Sequence, residues 1–334
     1  MKESNMNKID AVITWVDGND PEWRRERNQY MKIKYQADIG EVRYRDWDNL
    51  QYIFRGIEKY MPWINVVHFV TWGHIPGWMN TSCEKLHIVG HKEFIPEEYL
   101  PTFNSNVIEL NIHRIPGLAE QYLNFNDDMF VVGNTRPEDF FDRGLPKDSA
   151  ILSPQPLYRG GIANIVVNNL EILNDYYSME DVLNNKKKWF SPIYKKMLIR
   201  NIIFSRFKTI IGIYENHIPF SHLKATADEV WKKEFDILDS TCRNKFRSKE
   251  DVNEWLIRGW QLLSGNFIPR RCDFGKLVTL SDEISNIIEL LRKPGSYKMI
   301  CLNDNEKIID FEEKKERLKE MFNVLFPEKS MFEI

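Results

Sequence analysis

A chain of 334 residues with 43% hydrophobic and 13% aromatic content can bury a large core, as one big α/β domain or two smaller ones. Its 46 Lys and Arg nearly balance 49 Asp and Glu, and a net charge of -3 excludes the global field that would recruit nucleic acid. Cys83, Cys242, Cys272 and Cys301 lie far apart without a C-x-x-C pair, which argues against a zinc cluster or disulfide framework and fits a reducing compartment.

The start, Met1 to Lys8, is polar and lacks the apolar core of a signal peptide. No window approaches 18 consecutive apolar residues, so a cytoplasmic protein, free or peripheral at the inner membrane surface, is expected. Ile9 to Val16 is a β-rich apolar run that breaks at Asp17-Gly18-Asn19-Asp20-Pro21, as a buried strand followed by a turn. Asp48 is placed to cap a helix whose apolar positions Leu50, Ile53, Phe54, Ile57 and Met61 recur at helical spacing until Pro62. Val66 to Trp72 and Lys85 to Val89 read as the next two strands, and this alternation predicts a parallel sheet with helices on its faces. A further helix starts at Asn104 or Ser105, both good N-caps, and ends at Pro116-Gly117.

Tyr122 to Phe125 and Met129 to Val132 read as short strands around Asn126-Asp127-Asp128. Adjacent carboxylates between apolar strands are costly to desolvate unless paired or metal-bound, and hard oxygens suit Mg²⁺ or Mn²⁺ on a pyrophosphate. The plain alternative is an Asx turn inside a hairpin, and both readings stand. Ligands of open α/β sheets sit at the carboxyl ends of strands, where Asp17 and the Asp127/Asp128 pair both fall. Glu109 and His113 share one helix face at a spacing of four, which by default is a surface pair. His217, after the apolar run Ile210 to Ile213, offers an imidazole near neutral pH, and Lys224 and Arg247 offer cations for phosphate oxygens. There is no Gly-rich phosphate loop, G-x-G-x-x-G, G-x-S-x-G or H-E-x-x-H, which disfavours P-loop kinases, dehydrogenases, α/β-hydrolases and zinc proteases.

Beyond residue 160 the pattern turns mostly helical, with amphipathic stretches at 249–263 and 311–325. The stretch Lys186 to Lys208 holds eight Lys or Arg and no Asp or Glu. Its positions Phe190, Ile193, Tyr194, Met197, Leu198 and Ile202 follow helical spacing, a basic amphipathic segment of the kind that meets an anionic membrane or a polyanionic acceptor, unless its basic face is merely solvated. The expected organisation is a single catalytic unit over 1–334. Its α/β core is 1–150, a mostly helical insertion over 151–270 completes the active site, and a helical segment closes the chain over 271–334.

Several stretches together resemble a known family. Ile9 to Gly18 (IDAVITWVDG) is similar to the first conserved block of the Stealth proteins. Arg43-Tyr44-Arg45-Asp46-Trp47, Leu100 to Ser105, His113 to Leu118 and Phe125 to Asp128 resemble the second. Asn216 to Pro219 and Lys245 to Arg247 resemble the third, and Asn303-Asp304 with Phe326 to Glu333 the fourth. The resemblance implies a mostly parallel nucleotide-sugar-binding core, Rossmann-like or GT-A-like, with a helical C-terminal half. It implies transfer of a hexose-1-phosphate, GlcNAc-1-phosphate or a related one, from a UDP-sugar to an oligo- or polysaccharide hydroxyl in capsular or exopolysaccharide synthesis, with Mg²⁺ or Mn²⁺. Carried over by motif, Asp127, Asp128, His217 and Arg247 are the catalytic candidates, with the metal on Asp127 and Asp128. Asp17, Arg45, Asn104, Ser105, His113 and Lys224 are the substrate-binding ones. Two other functions share these features: a metal-dependent glycosyltransferase attacking the anomeric carbon, and a non-catalytic carbohydrate-binding protein.

Overall fold

The computed structural model describes residues 8–31, 45–156, 163–280, 284–295, 297–304 and 308–334. The Arg43-Tyr44 part of the second block lies outside them. The first half runs β1 (Ile9–Thr14), α1 (Pro21–Met31), α2 (Leu50–Tyr60), β2 (Val67–Thr71), β3 (Leu86–Gly90), α3 (His91–Phe94), α4 (Ser105–Asn111), β4 (Gln121–Phe125) and β5 (Met129–Val131). Then follow β6 (Phe141–Asp142), β7 (Leu145–Asp148), α5 (Ala163–Tyr176), α6 (Met179–Asn184), α7 (Lys186–Trp189), α8 (Leu198–Phe204) and β8 (Phe220–Leu223). The rest is α9 (Lys224–Lys233), α10 (Phe235–Arg243), α11 (Trp255–Leu263), β9 (Ile268–Pro269), β10 (Gly275–Thr279), α12 (Ile284–Arg292), β11 (Met299–Asn303) and α13 (Phe311–Leu325).

The fold is α/β. The main sheet has the order β3-β2-β1-β4-β8, and all its neighbours are parallel except β4 with β8. Successive side chains of a strand point to opposite faces, and each face here has its own core. Ala11, Ile13, Val67, Phe69, Leu123 and Phe125 face α2, α12, α13 and the second sheet. Val12, Val70, Val89 and Tyr122 face α4, α9 and α11. The strands therefore read as continuous apolar runs, as expected when both faces are covered.

Several expectations meet corrections. Asp48 does not cap α2: its backbone is left-handed (φ 51°), its carboxylate takes Lys319 Nζ at 2.5 Å, and Asn49 stands at the cap position without a side-chain bond. Helix α1 went unread because only Trp23 is buried, although Asp20 Oδ1 accepts from the Glu22 and Trp23 N–H groups ahead of it. β4 and β5 form no hairpin. β5 pairs antiparallel with β11, itself parallel to β10, so Asn126-Asp127-Asp128 is the crossing from the main sheet to a second one. Stretch 271–334 thus supplies two strands besides its helices; short apolar runs such as MICLN carry no period that separates strand from helix. Gly56 lets α2 lie against β5, since a Cβ there would meet the Val131 carbonyl at 2.9 Å.

The helix expected over 249–263 begins only at Trp255, because Asp251 and Asn253 spend their side chains on loop contacts instead. The basic amphipathic stretch is not one helix but α7, a 3-10 turn Pro192–Met197 and α8. Pro192 has no N–H to continue α7.

Candidate active site

Because β1 and β4 are parallel neighbours, the loops that follow them open at one edge of the sheet. β8 runs the other way, so the loop before it, carrying His217, arrives at that same edge. Asp17, Asp127, Asp128 and His217 are brought together there by topology alone.

The first half of the site is a crowd of carboxylates. Asp17 Oδ1 accepts from the Asn19 N–H at 2.8 Å, and the Asp17 N–H donates to His74 Nε2 at 2.7 Å, which fixes the loop after β1. Asp46 feels the charge of Asp17, Asp127 feels Asp46, and Asp128 adds to both its neighbour's burden and the local field. Burial, then Asp128 and Asp46, pushes Asp127 up to about 7, although the residue keeps an exposed surface. Burial raises Asp128 as well, against the pull of His217.

Asp128 Oδ2 lies 3.2 Å from Cys301 Sγ and 4.0 Å from His217 Nε2. Asp128 Oδ1 is buried without a hydrogen-bond partner among the described residues. A buried carboxylate oxygen left bare is costly, and a hard divalent cation would satisfy it. Asp128, His217 and Cys301 each bring a ligand atom within 4.8 Å of the others. The Cys301 thiol is held well above its usual pKa, by burial and by Asp128, so it acts as an S–H donor orienting the carboxylate and not as a soft thiolate. With the thiol and a protonated imidazole set aside, the donor that remains in this cluster is the hard carboxylate of Asp128, of the kind Mg²⁺ or Mn²⁺ takes.

His217 sits at φ 47°, a conformation that a non-glycine residue adopts at some cost and that concentrates at functional sites. Glu215 binds its backbone N–H and lies 3.7 Å from Nδ1, while Trp255 packs edge-on against the ring. Burial lowers the imidazole pKa, but Glu215, Asp128 and Glu254 together outweigh it and lift the value to about 9. In this field the ring holds its proton at neutral pH.

The second half of the site is built from α4 and the loop before α11. Arg247 Nη2 donates to Ser105 Oγ, and Ser105 also bonds Glu109. Phe103 stacks on Phe246 and meets Trp23 edge-on, so the stretches next to Ser105 and Arg247 are clamped to α1. Asp251, fully buried, accepts from Asn104 Nδ2 (2.8 Å), Asn106 Nδ2 (3.1 Å), Asn244 Nδ2 (2.7 Å) and the Ser248 N–H (2.9 Å), which ties the Arg247 loop to the start of α4. Glu109, read from sequence as one of a surface pair, is instead turned inward. Burial and the nearby Glu254 raise it to about 8 against Arg247 and His217. Glu254 accepts from Asn124 of β4 and lies 3.6 Å from His222, linking the two halves.

Not every motif residue joins this group. Asn104 is fully buried and spends its carboxamide capping α4 and binding Asp251, so it shapes the site without facing it. Arg45 is committed to a bidentate pair with Asp304, both contacts at 2.9 Å, and stacks over Phe311. His113 and Lys224 lie at the opposite edge of the sheet. Lys224 follows β8 where it meets the start of β4, and the five residues of β4 at roughly 3.3 Å each put about 17 Å between it and Asp127. With Arg114, Asp228, Trp231 and Phe235 these two line a separate open cleft of about 740 Å³. Burial and Arg114 push His113 down to about 4, so it is neutral there. Sequence reading missed Asp46, Glu215, Glu254, Asp251 and Cys301. Asp46 lies inside a quoted motif and Glu215 adjoins one, so both were within reach; the other three are joined only by folding.

Comparison with known proteins shows the family. The description "Stealth protein CR1, conserved region 1" matches residues 7–35, "CR2, conserved region 2" matches 43–148 and "CR4, conserved region 4" matches 289–334. The capsular polysaccharide phosphotransferase WcwK of Streptococcus pneumoniae is 43% identical over 332 residues, covering 98% of this chain and 99% of that one. The exopolysaccharide phosphotransferase cps2G of Lactiplantibacillus plantarum is 36% identical, covering 97% and 96%. Among solved structures, the galactosyltransferase LgtC with donor and acceptor sugar analogues aligns over 94% of this chain and 95% of that one. Its identity is 10% and its TM-score 0.41, too loose a likeness to bear on activity.

Proposed function

The chain belongs to the Stealth family, and from that premise we propose that it is a sugar-phosphate transferase. It moves a hexose-1-phosphate, GlcNAc-1-phosphate or a related one, from a UDP-sugar onto a carbohydrate hydroxyl of a growing capsular or exopolysaccharide. The observation that carries this reading is the meeting, at one sheet edge, of a bare buried Asp128 oxygen with His217 and with the Arg247–Ser105–Glu109 chain.

In the reaction the acceptor oxygen attacks the β-phosphorus of the donor. The bond from that phosphorus to the bridging oxygen breaks, UMP leaves with the bridging oxygen, and the sugar keeps its own C1–O–P linkage. Such transfers depend on positioning and charge neutralisation more than on covalent help. A divalent ion on Asp127 and Asp128 would offset the diphosphate charge and lessen the Asp128 part of the carboxylate field on His217, whose larger part comes from Glu215. In its neutral form His217 takes the hydroxyl proton at Nε2, with Glu215 beside Nδ1 holding the ring. Arg247, held through Ser105, meets the equatorial oxygens of the phosphorus in flight. Asp17, in the loop after β1, binds the donor in this reading.

The test is to incubate the protein with acceptor, Mg²⁺ and a panel of UDP-sugars, and to identify the nucleotide released. UMP together with a phosphodiester in the product is expected. UDP would mean attack at the anomeric carbon, and no release from any donor would remove the catalytic reading.

A further inference from the structure

The surface around residues 183–208 combines two features that the active site does not use. Among the described residues fourteen large apolar side chains are exposed, and six of them fall between Leu183 and Phe207. Exposed apolar residues scattered singly need no explanation, but a cluster marks an interaction face. Ile199 is 60% exposed, Ile202 and Ile203 51% each, and Phe207 52%.

This face is rigidly mounted. Trp189 and Tyr194 are buried beneath it, and the buried Asn201 accepts from the Leu152 N–H and donates to the Ala150 and Trp189 carbonyls. The isoleucines are therefore held outward by the packing behind them.

Around them stand the eight cations of a stretch without one acidic residue. Lys188 donates to the Gly265 carbonyl, Lys195 pairs with Asp273 and Arg200 reaches Ser153, so these three are engaged inward. Lys186, Lys187, Lys196, Arg206 and Lys208 are exposed, with no side-chain pairing among the described residues.

Three occupants can be compared. A soluble polyanion would satisfy the cations but leave the isoleucines and Phe207 in water. A second copy of the same face would bring like charges together. An anionic bilayer surface accepts both, apolar side chains at the headgroup boundary and cations at the phosphates. None of the described helices is long and apolar enough to cross a membrane, so such contact lies on the surface. We infer that the 183–208 face docks this protein onto an anionic lipid surface.

Sedimentation with phosphatidylglycerol-rich vesicles, with neutral phosphatidylcholine vesicles and with soluble polyphosphate, at low and high salt and without donor, tests this independently of turnover. The parent is expected to sediment with the anionic vesicles and to be partly released by salt. Replacing Lys186, Lys187, Lys196 and Arg206 by Gln should weaken vesicle binding on the order of several hundredfold, since each cation contributes about a fivefold factor. Replacing Ile199, Ile202 and Ile203 by Ser, with every charge kept, should weaken it on the order of a hundredfold. Absence of the parent from the anionic vesicle pellet at low salt overturns the inference. So does a serine variant that sediments like the parent, and if that variant also binds polyphosphate equally well the face is a polyanion site.

Discussion

Asp251 offers the sharpest single test of how this site is assembled. Its carboxylate touches no reacting atom, yet four donors converge on it from α4 and from the loop that carries Arg247. Asp251→Ala strands those donors in a place the residue shares with no solvent. A stranded buried donor costs about 1–3 kcal/mol, and some of the four will find each other or water. A total loss of about 3–5 kcal/mol follows, a large part of the 5–15 kcal/mol that typically separates folded from unfolded chains. Asp251→Asn keeps the shape and the acceptor oxygen but turns an N–H₂ group toward one or two donors, for a cost of about 1–2 kcal/mol. Its chief effect should be on Arg247, whose loop is no longer pinned against Ser105. Losing one aimed transition-state contact lowers turnover on the order of a hundredfold. Urea unfolding of both variants, with steady-state turnover of the asparagine one, separates stability from aim. The expected pattern is a modest stability loss in Asp251→Asn with kcat falling far more than KM rises. Turnover within twofold of the parent in a variant whose stability has dropped as stated would refute the claim that this brace aims Arg247.

Asp128→Asn should fold normally, since Cys301 keeps an oxygen to bind, while metal-dependent turnover falls on the order of a hundredfold or more; an activity titration with Mg²⁺ superimposing on the parent's would count against the metal assignment. Glu109, raised to about 8, binds its proton in the folded state across the neutral range. A carboxyl with a folded pKa above its unfolded one gives most stability below the unfolded value and loses it as pH climbs toward 8, by about 3–5 kcal/mol. Thermal melts from pH 5 to pH 8 should therefore slope downward in the parent more steeply than in Glu109→Gln, and equal slopes would show that Glu109 is not the titrating group.

What the sequence determined by itself was whatever depends on local pattern. The order of strand β1, helix α2 and strands β2 and β3 announced a parallel sheet with helices on its faces, because such crossovers pack that way. α13 was legible to the residue, and Asn104 was legible as a cap, since caps and amphipathic periods are written in neighbouring residues. The motifs also marked Asp17, Asp127, Asp128 and His217, and the topology gathers them at one edge. Tertiary structure decided everything that depends on direction and distance. β8 runs antiparallel to β4, which carries His217 to the Asp128 end and Lys224, seven residues on, to the far end; no spacing rule contains that reversal. Glu109 and Glu254 are remote in sequence, and their burial near each other makes one carboxyl hold its proton. Cys301 reaches Asp128 only because β11 pairs with β5 in a second sheet. Sequence fixes which face of an element is apolar, but the charge state of a buried group is set by whatever chain folds over it, and that is a property of three dimensions.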